Sequence, residues 1–259
     1  MKRTGWLLLG TVMLSPALAA PLPCRVGSPA HTVALVELYT SEGCSSCPPA
    51  DRWLGGLSAN GFGADQIVPL ALHVDYWNYL GWSDPFSQAR FSARQRQVAH
   101  WNRLRAIYTP QVTLQGADYR NWGGHRFADA VRAINQRPAR ADLNLSLGIA
   151  ADAVTLALNG GVNDASARPG AQVFMALYEN QLSTRVPAGE NAGRTLRHDH
   201  VVRAWLGPFQ VGADGRIELS RALAFDRAWN PAQLGAAAFV QDVRSGDVLQ
   251  AVALPACRD

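Results

Sequence analysis

Cys44 and Cys47 stand two residues apart in the run Val36-Glu37-Leu38-Tyr39-Thr40-Ser41-Glu42-Gly43-Cys44-Ser45-Ser46-Cys47-Pro48-Pro49. An apolar strand, a short turn and the expected start of a helix follow one another there. This spacing lets two sulfurs join, and a helix N-terminus offers unpaired N–H groups and partial positive charge that favour a thiolate, the nucleophilic form of cysteine. Redox exchange, a zinc site and an inert disulfide all use C-x-x-C. Between the cysteines, Ser45 and Ser46 add no charge but can donate hydrogen bonds to a thiolate, while Glu42 raises the thiol pKa.

Two more cysteines, Cys24 and Cys257, lie near the ends of the chain. Four cysteines allow three pairings. Near neighbours compete well for each other, so the natural set is Cys44 with Cys47 and Cys24 with Cys257; free terminal thiols are the alternative. A zinc site would need a second C-x-x-C or a histidine pair, and only His198 and His200 come near that pattern. Two thiolates also suit a soft metal such as Cu(I), though no methionine cluster accompanies them.

The setting is read from the first residues. Lys2 and Arg3, an apolar run from Trp6 to Leu14 and Ala17-Leu18-Ala19 ahead of Ala20 form a signal peptide over residues 1–19. A membrane anchor is the weaker reading, because spanning a bilayer takes about 20 apolar residues. The expectation is an exported protein, periplasmic or secreted, in a compartment where disulfides persist. Removing Lys2 and Arg3 lowers the formal charge from +4 to +2, so no nucleic-acid partner is expected and no membrane span remains. Lys2 is the only lysine; lysine Schiff-base or general-base chemistry is excluded from the mature chain.

After a segment at 20–30, the run from His31 to Tyr39 reads as a buried parallel strand. Pro48 and Pro49 suit a first helical turn, and Ala50, Trp53, Leu54 and Leu57 recur with helical spacing. Ile67 to Val74 is a second buried strand, which puts the dithiol at the strand end where open α/β sheets build sites. Ser83-Asp84-Pro85 predicts a helix running to Leu104, with Arg90, Arg94, Arg96, Arg103 and Arg105 as a solvated basic face or, for the last two, as positive potential near the dithiol. His73 and Asp75 end the second strand and read as structural. Val112 to Leu114, a return strand near Tyr119 and a helix about Phe127, Val131 and Ile134 complete a unit over residues 31–138.

From 143 to 259 the period changes to two. Runs at 143–149, 154–158, 173–178, 201–205, 217–219, 238–243 and 248–254, with Gly160-Gly161 and Gly189 to Gly193 as hairpin loops, predict an antiparallel β-sandwich domain. No nucleotide-binding loop is present, and no cofactor is expected.

The blocks Glu37 to Asp51, His73 to Trp82 and Tyr108-Thr109-Pro110-Gln111, with Gly193 to Arg203 later, resemble an uncharacterised family of exported bacterial thioredoxin-like proteins, catalogued as a domain of unknown function. The resemblance implies an α/β thioredoxin-like domain ahead of the β-sandwich. It also implies roles by position: Cys44 as the exposed attacking cysteine, Cys47 as the buried resolving one, and Thr109-Pro110 as a cis-proline pair facing the dithiol. Glu37 is the candidate for a buried carboxylate that takes the resolving thiol's proton, an outward-facing strand glutamate being the alternative.

The expected function is thiol-disulfide exchange with protein thiols or disulfides and an unidentified redox partner. A binding or metal-delivery protein with a structural or metal-binding C-x-x-C is the second reading.

Overall fold

A computed structural model describes residues 24–257. The expected signal peptide at 1–19 and the start of the 20–30 segment lie outside the described residues. The chain runs through β1 (Cys24–Gly27), β2 (Ala34–Thr40), α1 (Pro48–Gly55), β3 (Ile67–His73), α2 (Ala89–Trp101), β4 (Gln111–Leu114), β5 (Ala117–Asp118) and α3 (Arg126–Asn135). Then come β6 (Ala141–Ile149), β7 (Ala153–Val162), β8 (Ala171–Glu179), β9 (Leu182–Arg185), β10 (Thr195–His198), β11 (Val201–Gln210), β12 (Arg216–Ala224), β13 (Leu234–Asp242) and β14 (Val248–Leu254). Among the described residues no helix is long and apolar enough to cross a membrane.

The expected α/β thioredoxin-like domain followed by an antiparallel β-sandwich domain is corrected by this architecture, which is mostly β with three α-helices among the described residues. Strands from both halves of the chain share one mixed sheet of eight, in the order β14-β13-β8-β11-β3-β2-β4-β5. The join is the parallel pairing of β11 with β3, with Val201 opposite Ala71. A smaller sheet, β1-β6-β7-β12, packs its Leu143, Leu145, Leu156 and Leu158 against Met175, Leu177 and Ala238 of the large sheet. Most of these strands are legible in the periodicity of the sequence. It does not show that strands far apart in sequence pair into one sheet, because pairing is decided between elements and periodicity is a property of each alone.

β2 is buried at all seven positions, as a strand covered on both faces must be. Ala34, Val36 and Leu38 meet α1 and α3, in one core with Ala50, Leu54, Phe127 and Val131. Leu35 and Tyr39 point the other way, into a core that continues through Phe91 and Val98 of α2 to Phe174, Trp205 and Phe239. Both halves of the chain thus contribute to one apolar layer under α2.

Inside that layer lies a charge pair. Arg94, read from the sequence as part of a solvated face, is buried; its Nε and Nη2 donate to Glu37 Oε1 and Oε2 at 2.9 and 3.1 Å. The guanidinium also lies 5.1 Å from the Phe174 ring centre and 5.4 Å from those of Trp205 and Phe239, which suits a delocalised cation.

Two further expectations are corrected. The helix predicted from Ser83-Asp84-Pro85 begins at Ala89; the Asp84 carboxylate is engaged before it, where Oδ1 accepts from the Phe86 N–H, while Oδ2 accepts from the distant Glu42 N–H and pairs with His73. Gly160-Gly161 is inside β7 and not a hairpin loop; Gly160 takes φ 158° where a Cβ would lie 1.9 Å from the Asp142 carbonyl oxygen, so no side chain fits.

Arg94→Met should lower the unfolding free energy by about 3–5 kcal/mol in urea titrations, since it strands the buried Glu37 carboxylate; adding Glu37→Leu should recover much of that loss. Replacing Cys24 and Cys257 together by serine should cost about 2–5 kcal/mol in the same assay.

Candidate functional site

β2 ends at Thr40, and the chain turns twice before the helix: the Cys44 N–H donates to the Ser41 carbonyl and the Cys47 N–H to the Cys44 carbonyl, each at 3.2 Å. Gly43 allows the first turn to press on Trp77, whose Cβ would lie 3.0 Å from any Cβ placed there. Cys47 is the N-cap of α1, with Pro48 and Pro49 in its first turn, where a missing N–H costs nothing. Cys44 and Cys47 form a disulfide with Cα atoms 5.4 Å apart. Cys24 and Cys257 form the other, with a Cα separation of 6.1 Å.

Two facts bear on the attacking role implied for Cys44. Cys47, not Cys44, adjoins the helix N-terminus. Cys44 is also not exposed: it shows 1% of its surface and Cys47 none, while Ser45 and Ser46 face solvent. The Ser46 hydroxyl lies 3.3 Å from Cys44 Sγ, within sulfur hydrogen-bond range.

Residues 190 and 191, distant in sequence, bind the backbone of this turn. Asn191, fully buried, donates through Nδ2 to the Glu42 and Cys44 carbonyls at 2.8 and 2.9 Å. Beside it the Glu190 carboxylate accepts from the Ser45 N–H at 2.8 Å, and this bond holds the Glu190 pKa below its ordinary value. The glycines at 189 and 193 mark this stretch in the sequence only as a loop. On the other side, Trp77 Nε1 donates to Thr109 Oγ1 at 2.8 Å. The Thr109–Pro110 peptide is cis, and β4 pairs with β2 through Gln111 opposite Tyr39, which brings Thr109 and Pro110 to the sheet edge that carries the dithiol turn.

Glu37 is not brought to the dithiol. Side chains alternate along a strand. Val36 and Leu38 share the α1 face, so Glu37 and Tyr39 lie on the α2 face, where Arg94 holds both Glu37 oxygens.

A different set of ionisable residues converges behind the turn. Glu42 is fully buried: Oε2 accepts from Trp82 Nε1 at 2.8 Å, and Oε1 accepts from His198 Nε2 at 3.1 Å. His73, at the end of β3, donates from Nδ1 to Asp84 at 2.7 Å. The His73 and His198 rings meet edge to face, centres 4.9 Å apart. Asp51, one turn into α1 and 6% exposed, completes the group, with Oδ2 3.9 Å from His198 Nδ1. Burial raises the Asp51 pKa. For His73, burial favours the neutral ring, but Asp84 outweighs it and the pKa rises; for Asp84, burial is outweighed by His73 and by the amides of Glu42 and Phe86, and its pKa falls.

The sequence offered faint signals for this group. Asp51 is four residues beyond Cys47, hence on the same helix face, and His198 belongs to the His198/His200 pair weighed for zinc. His73 and Asp75 read alike as structural from the sequence, and Asp75 does accept a hydrogen bond from the Ser92 hydroxyl, to which its own N–H donates. Arg103 and Arg105 are exposed.

Residues 35–241 match the family described as "Protein of unknown function (DUF1223)". Among solved structures, a protein from Agrobacterium tumefaciens is similar with 25% identity and a TM-score of 0.63, over 90% of this chain and 98% of that one. HBP35 of Porphyromonas gingivalis is similar with a TM-score of 0.66 over 90% of this chain and 79% of that one; at 15% identity this speaks for the fold alone. A search of curated proteins found no match.

Asn191→Ala should lower stability by about 1–3 kcal/mol, because the buried Glu42 carbonyl loses its donor. It should also speed reduction of Cys44–Cys47 by dithiothreitol several-fold, read by timed alkylation and mass spectrometry; an unchanged rate would mean the 190–191 segment does not shield the disulfide.

Proposed function

The chain belongs to the family of proteins of unknown function DUF1223, and within it we propose that this protein is a thiol-disulfide oxidoreductase acting through Cys44 and Cys47. One observation carries the reading: the chain holds two disulfides of very different span, and only the long one suits a staple. In the loop-entropy model a bridge of sequence separation 3 contributes about 2 kcal/mol and one of separation 233 about 5 kcal/mol. The Cys24–Cys257 bridge ties the two ends of the described chain together. The Cys44–Cys47 bridge adds little restraint to a turn already held by hydrogen bonds, so its value lies in chemistry.

In the reduced protein, the Cys44 thiolate attacks one sulfur of a client disulfide and releases the other as a thiolate. A mixed disulfide results. The Cys47 thiolate then attacks Cys44 Sγ, the client leaves with both sulfurs reduced, and the two electrons it gained are those lost in closing Cys44–Cys47. Run in reverse, the same steps oxidise a client dithiol. The exposed Ser45–Ser46 edge and the neighbouring Thr109–Pro110 segment are where an extended client would lie, once Glu190 and Asn191 move aside. Glu42 hinders a thiolate less than its sequence position implied, because its carboxylate is committed to Trp82 and His198. An exported, oxidising compartment is the proposed setting, supported by the Cys24–Cys257 bridge.

The test is a Cys47→Ser variant expressed with its own leader sequence. Mixed disulfides through Cys44 that disappear on reduction are expected. If no client is trapped and the wild-type Cys44–Cys47 bridge also stays closed in millimolar dithiothreitol, the exchange reading fails.

A further inference from the structure

Behind the dithiol turn, three side chains bring metal-ligating atoms close to one another. Carboxylates accept hydrogen bonds, so the imidazole nitrogen facing each carboxylate must be the one that carries hydrogen. His73 uses Nδ1 toward Asp84, which leaves Nε2 as its free nitrogen; His198 uses Nε2 toward Glu42, which leaves Nδ1. Those two atoms and both Asp51 carboxylate oxygens are buried without any hydrogen-bond partner. The Thr40 hydroxyl lies beside the Asp51 carboxylate without reaching hydrogen-bond geometry. One ligand atom from each of Asp51, His73 and His198 lies within 4.8 Å of the other two. The 3.9 Å between His198 Nδ1 and Asp51 Oδ2 is too long for a hydrogen bond.

We propose that Asp51, His73 and His198 form a binding site for a divalent transition-metal ion of the zinc type, separate from the cysteines. The donor set, two imidazoles and one carboxylate, is one such ions take, at about 2.0–2.2 Å from the metal. In a tetrahedral shell two ligands at that range lie about 3.4 Å apart, so closing the group around an ion asks each side chain to move by less than about 1 Å. The outer ring is also that of a metal site. Each histidine donates its other N–H to a buried carboxylate, Asp84 or Glu42, which fixes the tautomer and strengthens the ligand nitrogen. Asp51, Asp84 and Glu42 surround the point with negative charge that a dication would offset. A cavity of about 200 Å³ lies beside the group, lined by Pro48, Asp51, Leu196, His198 and the cations Arg52, Arg194 and Arg197, but the ligand atoms themselves are buried from it.

Because Asp51 sits one turn after Cys47, an ion here would brace the helix that presents the dithiol. The metal would play no part in the exchange proposed above, and the two readings stand or fall separately.

The probe is Zn²⁺, with Co²⁺ as its coloured substitute. Metal-stripped protein should bind one Zn²⁺ per chain by calorimetry, gain thermal stability, and give visible absorption bands with Co²⁺. Cys44→Ser/Cys47→Ser should bind as wild type does, while Asp51→Asn and His198→Gln should each weaken binding more than roughly 10-fold. No stoichiometric uptake by the folded wild-type protein, or uptake lost with the cysteines and kept in Asp51→Asn, would overturn the site. If either substituted protein loses its near-ultraviolet circular dichroism, the wild-type and double-cysteine titrations decide alone.

Discussion

Glu42 is a carboxylate with no exposed surface, two residues before the first cysteine of the C-x-x-C. Burying such a group is tolerable only when every oxygen finds a donor, and Glu42 finds them in distant parts of the chain: Trp82 on one oxygen and His198 on the other. Its backbone is bound as firmly, the N–H to Asp84 and the carbonyl to Asn191. One residue therefore fixes the dithiol turn, the 78–86 segment, β10 and the 190–191 segment relative to each other. Both the proposed exchange site and the proposed metal site hang on this arrangement.

The same logic governs the opposite face of the sheet. There Arg94 and Glu37 place a charge pair within aromatic packing contributed by β8, β11 and β13 as well as α2. A paired buried charge is costly to shift, so the pair opposes sliding of the early strands against the late ones. The dithiol turn at the end of β2 is consequently anchored to a sheet of eight strands.

How much of this could be read from the chain depends on the range of each interaction. Local facts were readable: the strands β2 and β3, the helix after the paired prolines, and the period-two strands beyond residue 140. So were the two cysteine pairs, from spacing and elimination. Asp84 shows where reading stopped. Its type and the following proline spell a helix cap, yet a histidine and a distant backbone amide claimed its carboxylate. Arg94 looked like one more surface arginine in a basic run, and only the position of Glu37 on the facing strand drew it inward. The resemblance implies an exposed Cys44, and nothing near it in sequence announces its burial or the hydrogen bond from Asn191 to its carbonyl.

The sequence by itself determined the chemistry available: a close dithiol, a pair of cysteines for a long bridge, no lysine beyond Lys2, and segments whose periodicity selects strand or helix. Those are properties of composition and short-range spacing. Only the tertiary structure decided which face of β2 each side chain joins, that early and late strands share one sheet, and that Asp51, His73 and His198 meet. The physical reason is that buried polar groups choose partners by proximity in space, and residues separated by more than a hundred positions become neighbours only when the sheet closes around them.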